Sequence, residues 1–158
     1  MSIFFHFFVS VDQKSPSTVL FRLLTLAPLH WTAFAFWLAI LFFLSGLPGD
    51  AAPTHLFPHQ DKGMHFIFYL GGAGVFAGAI SSTWSLRRST VTILTVVTLA
   101  LLGAGDEYRQ QFTPLRSGMD PFDWMADVAG ALAGALILAR LKSAAAKTSG
   151  LPAPSERK

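Results

Sequence analysis

The charges of this 158-residue chain leave long gaps. No Asp, Glu, Lys or Arg lies between Leu23 and Leu47. Lys62 and Arg87 enclose 24 residues without such a charge, and Arg88 and Asp106 enclose 17. A helix crossing the hydrocarbon of a bilayer takes about 20 apolar residues, with a range of about 17–25. The gaps predict membrane helices over roughly 30–47, 64–84 and 90–105. A fourth, over roughly 122–139, is weaker, because Asp123 and Asp127 fall in its first turns. Composition agrees. Charged residues make up 13% of the chain, about half the share of a soluble domain. With 15 Phe and 4 Trp, this excludes an ordinary soluble enzyme and a disordered chain. The absence of Cys excludes disulfides, thiolate metal sites and Cys nucleophiles. The expected fold is an all-α polytopic membrane protein, a four-transmembrane-helix bundle with a short N-terminal interfacial helix.

The basic residues favour four spans over three. Cytoplasmic loops carry an excess of Lys and Arg. Lys14, Arg22, Arg87, Arg88, Arg140, Lys142, Lys147, Arg157 and Lys158 share one face if there are four spans, against Lys62, Arg109 and Arg116 on the other. That other face also carries seven of the nine acids: Asp50, Asp61, Asp106, Glu107, Asp120, Asp123 and Asp127. The expected location is the bacterial inner membrane, with both termini cytoplasmic and the acidic face outside. No nucleic-acid partner is expected, although the net charge is +3.

The chain divides into 1–29, a membrane domain over 30–140, and a tail over 141–158. Residues 1–11 are apolar but too short to span, and they lack the basic start and cleavage site of a secretory signal. Val19, Leu20, Leu23, Leu24 and Ala27 share a helical face opposite Arg22, which predicts an interfacial helix ended by Pro28. The tail is rich in Ala, Ser, Lys and Pro and is expected to be disordered. Gly74 and Gly78, and the series Ala126, Gly130 and Gly134, are small-residue stripes that allow close helix approach in lipid. Packing inside the chain is favoured over a homodimer seam.

The polar residues gather at one set of helix ends. Asp61, His65 and Tyr69 are four apart and line one face where the second span begins, beside Lys62. Asp106, Glu107, Arg109 and Gln110 end the third span, and Arg116 follows in the loop. Asp123 and Asp127, again four apart, open the fourth. Ionisable groups are costly in a bilayer, by about 2.5–3.5 kcal/mol at its centre. These groups should therefore face one another, with Lys62, Arg109 and Arg116 as counter-charges. Plainer roles stand beside this one. Asp61 and Asp123 suit helix N-caps, whereas Asp127 is too deep for one. His65 suits a helix-to-helix hydrogen bond, Arg109 a snorkelling interface marker, and Asp50, Asp120, His55 and His59 solvated loops. No two His share ligand spacing and Lys62 and Arg116 compete for the carboxylates, so no metal or other cofactor is expected.

Together these segments resemble the VanZ-like family of small bacterial membrane proteins. Ser45-Gly-Leu-Pro48 closes the first span, and Asp61-Lys62-x-x-His65-Phe66-x-x-Tyr69 opens the second. Asp106-Glu107-x-x-Gln110-x-Phe112-x-Pro114-x-Arg116 follows the third. Asp123-x-x-x-Asp127-x-x-Gly130-x-x-x-Gly134 lies in the fourth. The resemblance implies an integral protein of the cell envelope, in a family whose named member is associated with teicoplanin resistance, and it brings no catalysed reaction with it. Three features depart from the family pattern. Leu115 stands where Gly is usual and Arg109 where many members have His. The step from Arg116 to Asp123 is one residue longer, so Asp120 competes for the aspartate role.

Two functions fit these residues. One is a binding protein in contact with membrane lipids, holding an anionic envelope lipid or cell-wall precursor head group. Lys62 and Arg116 would contact phosphate, with Tyr69, Gln110, Asp123 and Asp127 completing the site. The other is an enzyme acting on a lipid phosphate or acyl group. There His65 would be acid/base, oriented by Asp61 or Asp106, and Glu107 is a further catalytic candidate. A proton-coupled transporter using the carboxylate–His relay is a weaker third, since four spans show no internal inverted repeat. Binding is preferred over catalysis, because no activated nucleophile is visible.

Overall fold

A computed structural model describes residues 25–51 and 58–149. It holds four long helices: α1 (Ala27–Ser45), α2 (Gln60–Thr83), α3 (Arg88–Gln110) and α4 (Pro121–Ser149). A 3-10 turn, Gly49–Ala51, follows α1. All four helices are long and apolar enough to cross a membrane, and the described residues include no strand. The protein is therefore a multi-pass membrane protein built as an all-α four-helix bundle. Its outer surface agrees: Phe36, Phe43, Ile67, Leu101 and Phe122 are all exposed, too much apolar surface to leave in water.

Each helix begins ahead of its predicted span, and α3 and α4 also end beyond it, whereas α1 stops at Ser45 and α2 at Thr83. Hydropathy marks only the stretch inside hydrocarbon, whereas the hydrogen-bond ladder continues through the polar residues at its ends. Gln60 to Gly63 are already helical in α2, and Asp106 to Gln110 are still helical in α3. Pro28 lies in the first turn of α1, after a break at Leu26 that follows a helical Thr25. In a first turn its missing N–H costs nothing. Of the predicted interfacial face, Ala27 begins α1, and Val19 to Leu24 lie outside the described residues. The expected disorder of the tail is corrected as far as Ser149, because α4 continues to that residue. Ala144, Ala145 and Ala146 are strong helix formers, and Ala145 and Ala146 are buried. Residues 150–158 lie outside the described residues.

Helix α2 is the hub, and α4 is its most extensive partner. The contact is close because Gly130 and Gly134 bring α4 onto the α2 backbone. A Cβ at Gly130 would strike the Phe66 carbonyl, and one at Gly134 the Leu70 carbonyl. This half of the small-residue pattern packs inside the chain. The other half needs correction. Gly74 has nothing near its Cβ position; the glycines of α2 that receive α1 are Gly72, under the Trp37 ring, and Gly78, under His30. These contacts lie on the buried stripe His30, Phe34, Trp37, Leu41 and Ser45 of α1. Trp37 also donates its indole N–H to the Phe68 carbonyl at 3.0 Å, and its ring meets Tyr69 edge-on at 5.4 Å.

Helix α3 supplies a stripe of its own. Val91, Thr95, Leu99, Gly103, Asp106, Glu107 and Gln110 are its buried residues. The register that seats Leu99 in the core thus carries two carboxylates and an amide inward at the far end of the same face.

Candidate functional site

The start of α2, the end of α3, the loop after it and the start of α4 meet at one end of the bundle. Lys62 is the centre of the first group. Its Nζ reaches Asp123 at 2.7 Å, Asp61 at 2.8 Å and Asp120 at 2.9 Å. An ammonium has three N–H groups, so these carboxylates occupy all of them. Asp120 does more than a solvated loop residue would. Its Oδ1 accepts from the backbone N–H of Phe122 at 2.8 Å. It therefore caps α4 just ahead of Pro121, where a carboxylate also favours the helix dipole. The N-cap role weighed for Asp123 falls to Asp120 instead. Lys62 holds both aspartates. The hydrogen bond from Lys62 keeps the Asp120 carboxyl below the usual carboxylate range.

One turn deeper, His65 Nδ1 lies 2.9 Å from Asp127 Oδ1. Asp127 is 1% exposed, and Gly103 of α3 leaves room for it: a Cβ there would meet the carboxylate at 2.7 Å. The partner of His65 is thus Asp127, not Asp61 or Asp106. Spacing along one helix finds i, i+4 neighbours but not partners across a bundle. A ring nitrogen of His65 and carboxylate oxygens of Glu107 and Asp123 lie within 4.8 Å of one another. Glu107 Oε2 also accepts the backbone N–H of Asp120 at 3.0 Å, which ties α3 to the entry of α4.

Arg116 joins a third group. Its Nε donates to the Leu47 carbonyl at 3.1 Å and its Nη2 to the Leu44 carbonyl at 3.0 Å. Its Nη1 donates to Gln110 Oε1 at 3.2 Å. Gln110 Nε2 in turn donates to Asp106 Oδ2 at 2.8 Å. Arg116 therefore reaches Asp106 only through Gln110. Arg109 was expected as an interface marker, but it does structural work on α1. It donates to the Phe42 carbonyl at 2.6 Å and to Ser45 Oγ at 3.1 Å, and it lies over the Phe42 ring at 5.1 Å. The physical reason is at the end of α1, which has no basic residue in its last turn. The last carbonyls of a helix have no partner within it, and two arginines from elsewhere supply the donors.

Leu115 has φ 59°, in the left-handed region that favours glycine. Gly49 packs against this turn so closely that a Cβ would meet the Leu115 carbonyl. Its N–H donates to the Pro114 carbonyl at 3.0 Å. Neither Gly49 nor Ser45 was singled out for the site from sequence. Asp50 and His59 are exposed, as expected of loop residues, and His55 lies outside the described residues.

Four buried polar atoms among the described residues lack a hydrogen-bond partner, and three sit in this region: Tyr69 Oη, Asp106 Oδ1 and Glu107 Oε1. Tyr69 is 1%, Glu107 3% and Asp106 5% exposed. Such groups are rare because each forfeits its hydration. A scan of protein-family models finds none that matches the chain, and searches of curated proteins and of solved structures find no match.

Proposed function

We propose that this is a VanZ-like protein of the bacterial cell envelope, whose acidic helix ends bind the phosphate-bearing head group of an envelope lipid or cell-wall precursor. One observation carries the reading: Asp106 Oδ1, Glu107 Oε1 and the Tyr69 hydroxyl are buried without partners beside a connected polar network. A head group rich in hydroxyl or ammonium donors would satisfy the two carboxylate oxygens. The phosphate contact rests on Arg116 alone. Lys62 has no donor left, whereas Arg116 uses three of five and is half-buried. Membrane lipids are then both solvent and ligand. The test is lipid extraction from the purified full-length protein, followed by mass spectrometry. One envelope lipid should be enriched over the bulk membrane and lost in Glu107→Gln and Arg116→Ala. Bulk composition in all three would overturn the proposal. The family resemblance adds an envelope phenotype, read as altered teicoplanin susceptibility when the protein is overproduced.

The His65–Asp127 pair favours a second reading, an enzyme acting on a lipid phosphate or acyl group. A buried carboxylate on one ring nitrogen holds the other free for proton transfer. Phosphorus NMR and mass spectrometry of the reconstituted lipid distinguish the two. Conversion that stops in His65→Asn means catalysis, and binding without conversion means a receptor. For orientation we propose an inner-membrane protein with both termini in the cytoplasm and the acidic site outside, supported by the Lys and Arg distribution.

A further inference from the structure

The opposite end of the bundle holds a second polar site, far from the first. Lys142 of α4 is 6% exposed. Its Nζ donates to Ser81 Oγ at 2.7 Å and to Ser82 Oγ at 2.8 Å, which leaves one N–H. It lines a cavity of about 330 Å³ between the end of α2, the start of α3 and α4. Thr92 and Arg88 of α3 line it too, and among the described residues no Asp or Glu does. Seven of the nine carboxylates lie at or near the other end, and the remaining two, Asp12 and Glu156, are outside the described residues. A buried ammonium with only hydroxyl partners is costly, and it is relieved either by giving up its proton or by an anion that completes its shell.

The surroundings favour an anion as well. Helix α3 begins here, and its cap residue Arg87 makes no side-chain cap bond. The first-turn N–H groups and the positive end of the helix dipole thus remain available beside Arg88. The level in the membrane fits a lipid phosphate. From Pro121 to Lys142 a helix rises about 32 Å, close to the hydrocarbon thickness of a bilayer. Trp84 lines the cavity and meets Trp31 edge-on at 6.0 Å, and indoles gather at the membrane interface. We infer that this cavity binds a phosphate group through Lys142, Arg88 and the α3 N-terminus, a site distinct from the acidic one.

The phosphate belongs either to a phospholipid head group or to a soluble phosphate, and the test separates the two. Full-length protein in neutral detergent is offered phosphatidylglycerol in mixed micelles in one arm and millimolar inorganic phosphate in the other. Native mass spectrometry counts retained lipid, and thermal melting reports both ligands. Phosphatidylglycerol should be retained and should raise the melting temperature. Retention should fall about tenfold in Lys142→Met, as expected for the loss of one charge-assisted hydrogen bond. Arg88→Gln, at an exposed first-turn position, should weaken retention without altering melting of the lipid-free protein, so the proposal stands even if Lys142→Met does not fold. A response to inorganic phosphate alone assigns the site to a soluble phosphate. Equal retention by wild type and Arg88→Gln, with no phosphate response, would overturn the inference. So would higher retention in Asp12→Asn or Glu156→Gln, because a carboxylate of the chain would then be the anion Lys142 meets.

Discussion

Arg116 and Leu115 sit side by side and show how far one residue constrains the acidic end. Arg116 spans the Leu44 carbonyl of α1, the Leu47 carbonyl just past it and Gln110 with three donors. A Lys has the charge but not the planar fork, so Arg116→Lys should lose nearly as much as Arg116→Ala. Hydrogen bonds to charged groups contribute about 1.5–3 kcal/mol each. Both variants should melt clearly below wild type in detergent, and a Lys variant with wild-type melting would show that only the charge matters. At Leu115 the left-handed backbone of a non-Gly residue costs about 1–2 kcal/mol, more than the ~0.5–1 kcal/mol of chain entropy that Gly adds. The side chain is 77% exposed, so little contact is lost. Leu115→Gly should raise the melting temperature, and a drop would show that the side chain matters in its own right. Asp120 adds a pH signature. Its carboxyl is held low by Lys62, so its stabilising effect is complete above the usual carboxylate range and disappears as the pH falls through its lowered value. The melting temperatures of wild type and Asp120→Asn should differ at neutral pH and converge in acid.

At the scale of the element, the α2–α4 seam is held by what is missing from it. Gly130 and Gly134 let backbone lie on backbone, which raises dispersion contact where lipid offers no hydrophobic driving force between helices. Overpacking a tight core costs about 1–3 kcal/mol. Gly134→Val should therefore destabilise the protein by an amount in that range and lower its melting temperature, and Gly74→Val, at an open position, should not. A reversed order in a thermal-melt series would mean that the seam is misassigned. The seam also serves the site, because α2 and α4 bring Lys62 to Asp123 and His65 to Asp127.

For the whole molecule the separation of charge is the organising feature. Six carboxyl groups, Asp61, Asp106, Glu107, Asp120, Asp123 and Asp127, gather at one end around Lys62 and His65, and near the other Lys142 meets the hydroxyls of Ser81 and Ser82. The positive-inside rule then predicts the orientation. A reporter fused after Lys158 that works only in the cytoplasm should be active, and one that works only outside should be silent. The reverse result would invert the proposed faces of both sites.

The sequence alone determined the class of molecule, since uncharged runs of bilayer length leave a chain few alternatives to membrane helices. Composition and spacing also made the polar end visible, through Asp61-Lys62-x-x-His65, Asp106-Glu107 and Asp123-x-x-x-Asp127. Who partners whom was not visible. His65 meets Asp127 across two helices, Arg116 and Arg109 turn to the Leu44 and Phe42 carbonyls of α1, and Asp120 takes the cap weighed for Asp123. Those pairings depend on crossing angle and register between helices, which helical periodicity along one segment does not encode. The buried Lys142 was hidden for the same reason: on the sequence it is one more basic residue of a polar tail. Only the continuation of α4 to Ser149 and its packing against α2 bring Lys142 to Ser81 and Ser82 and away from water.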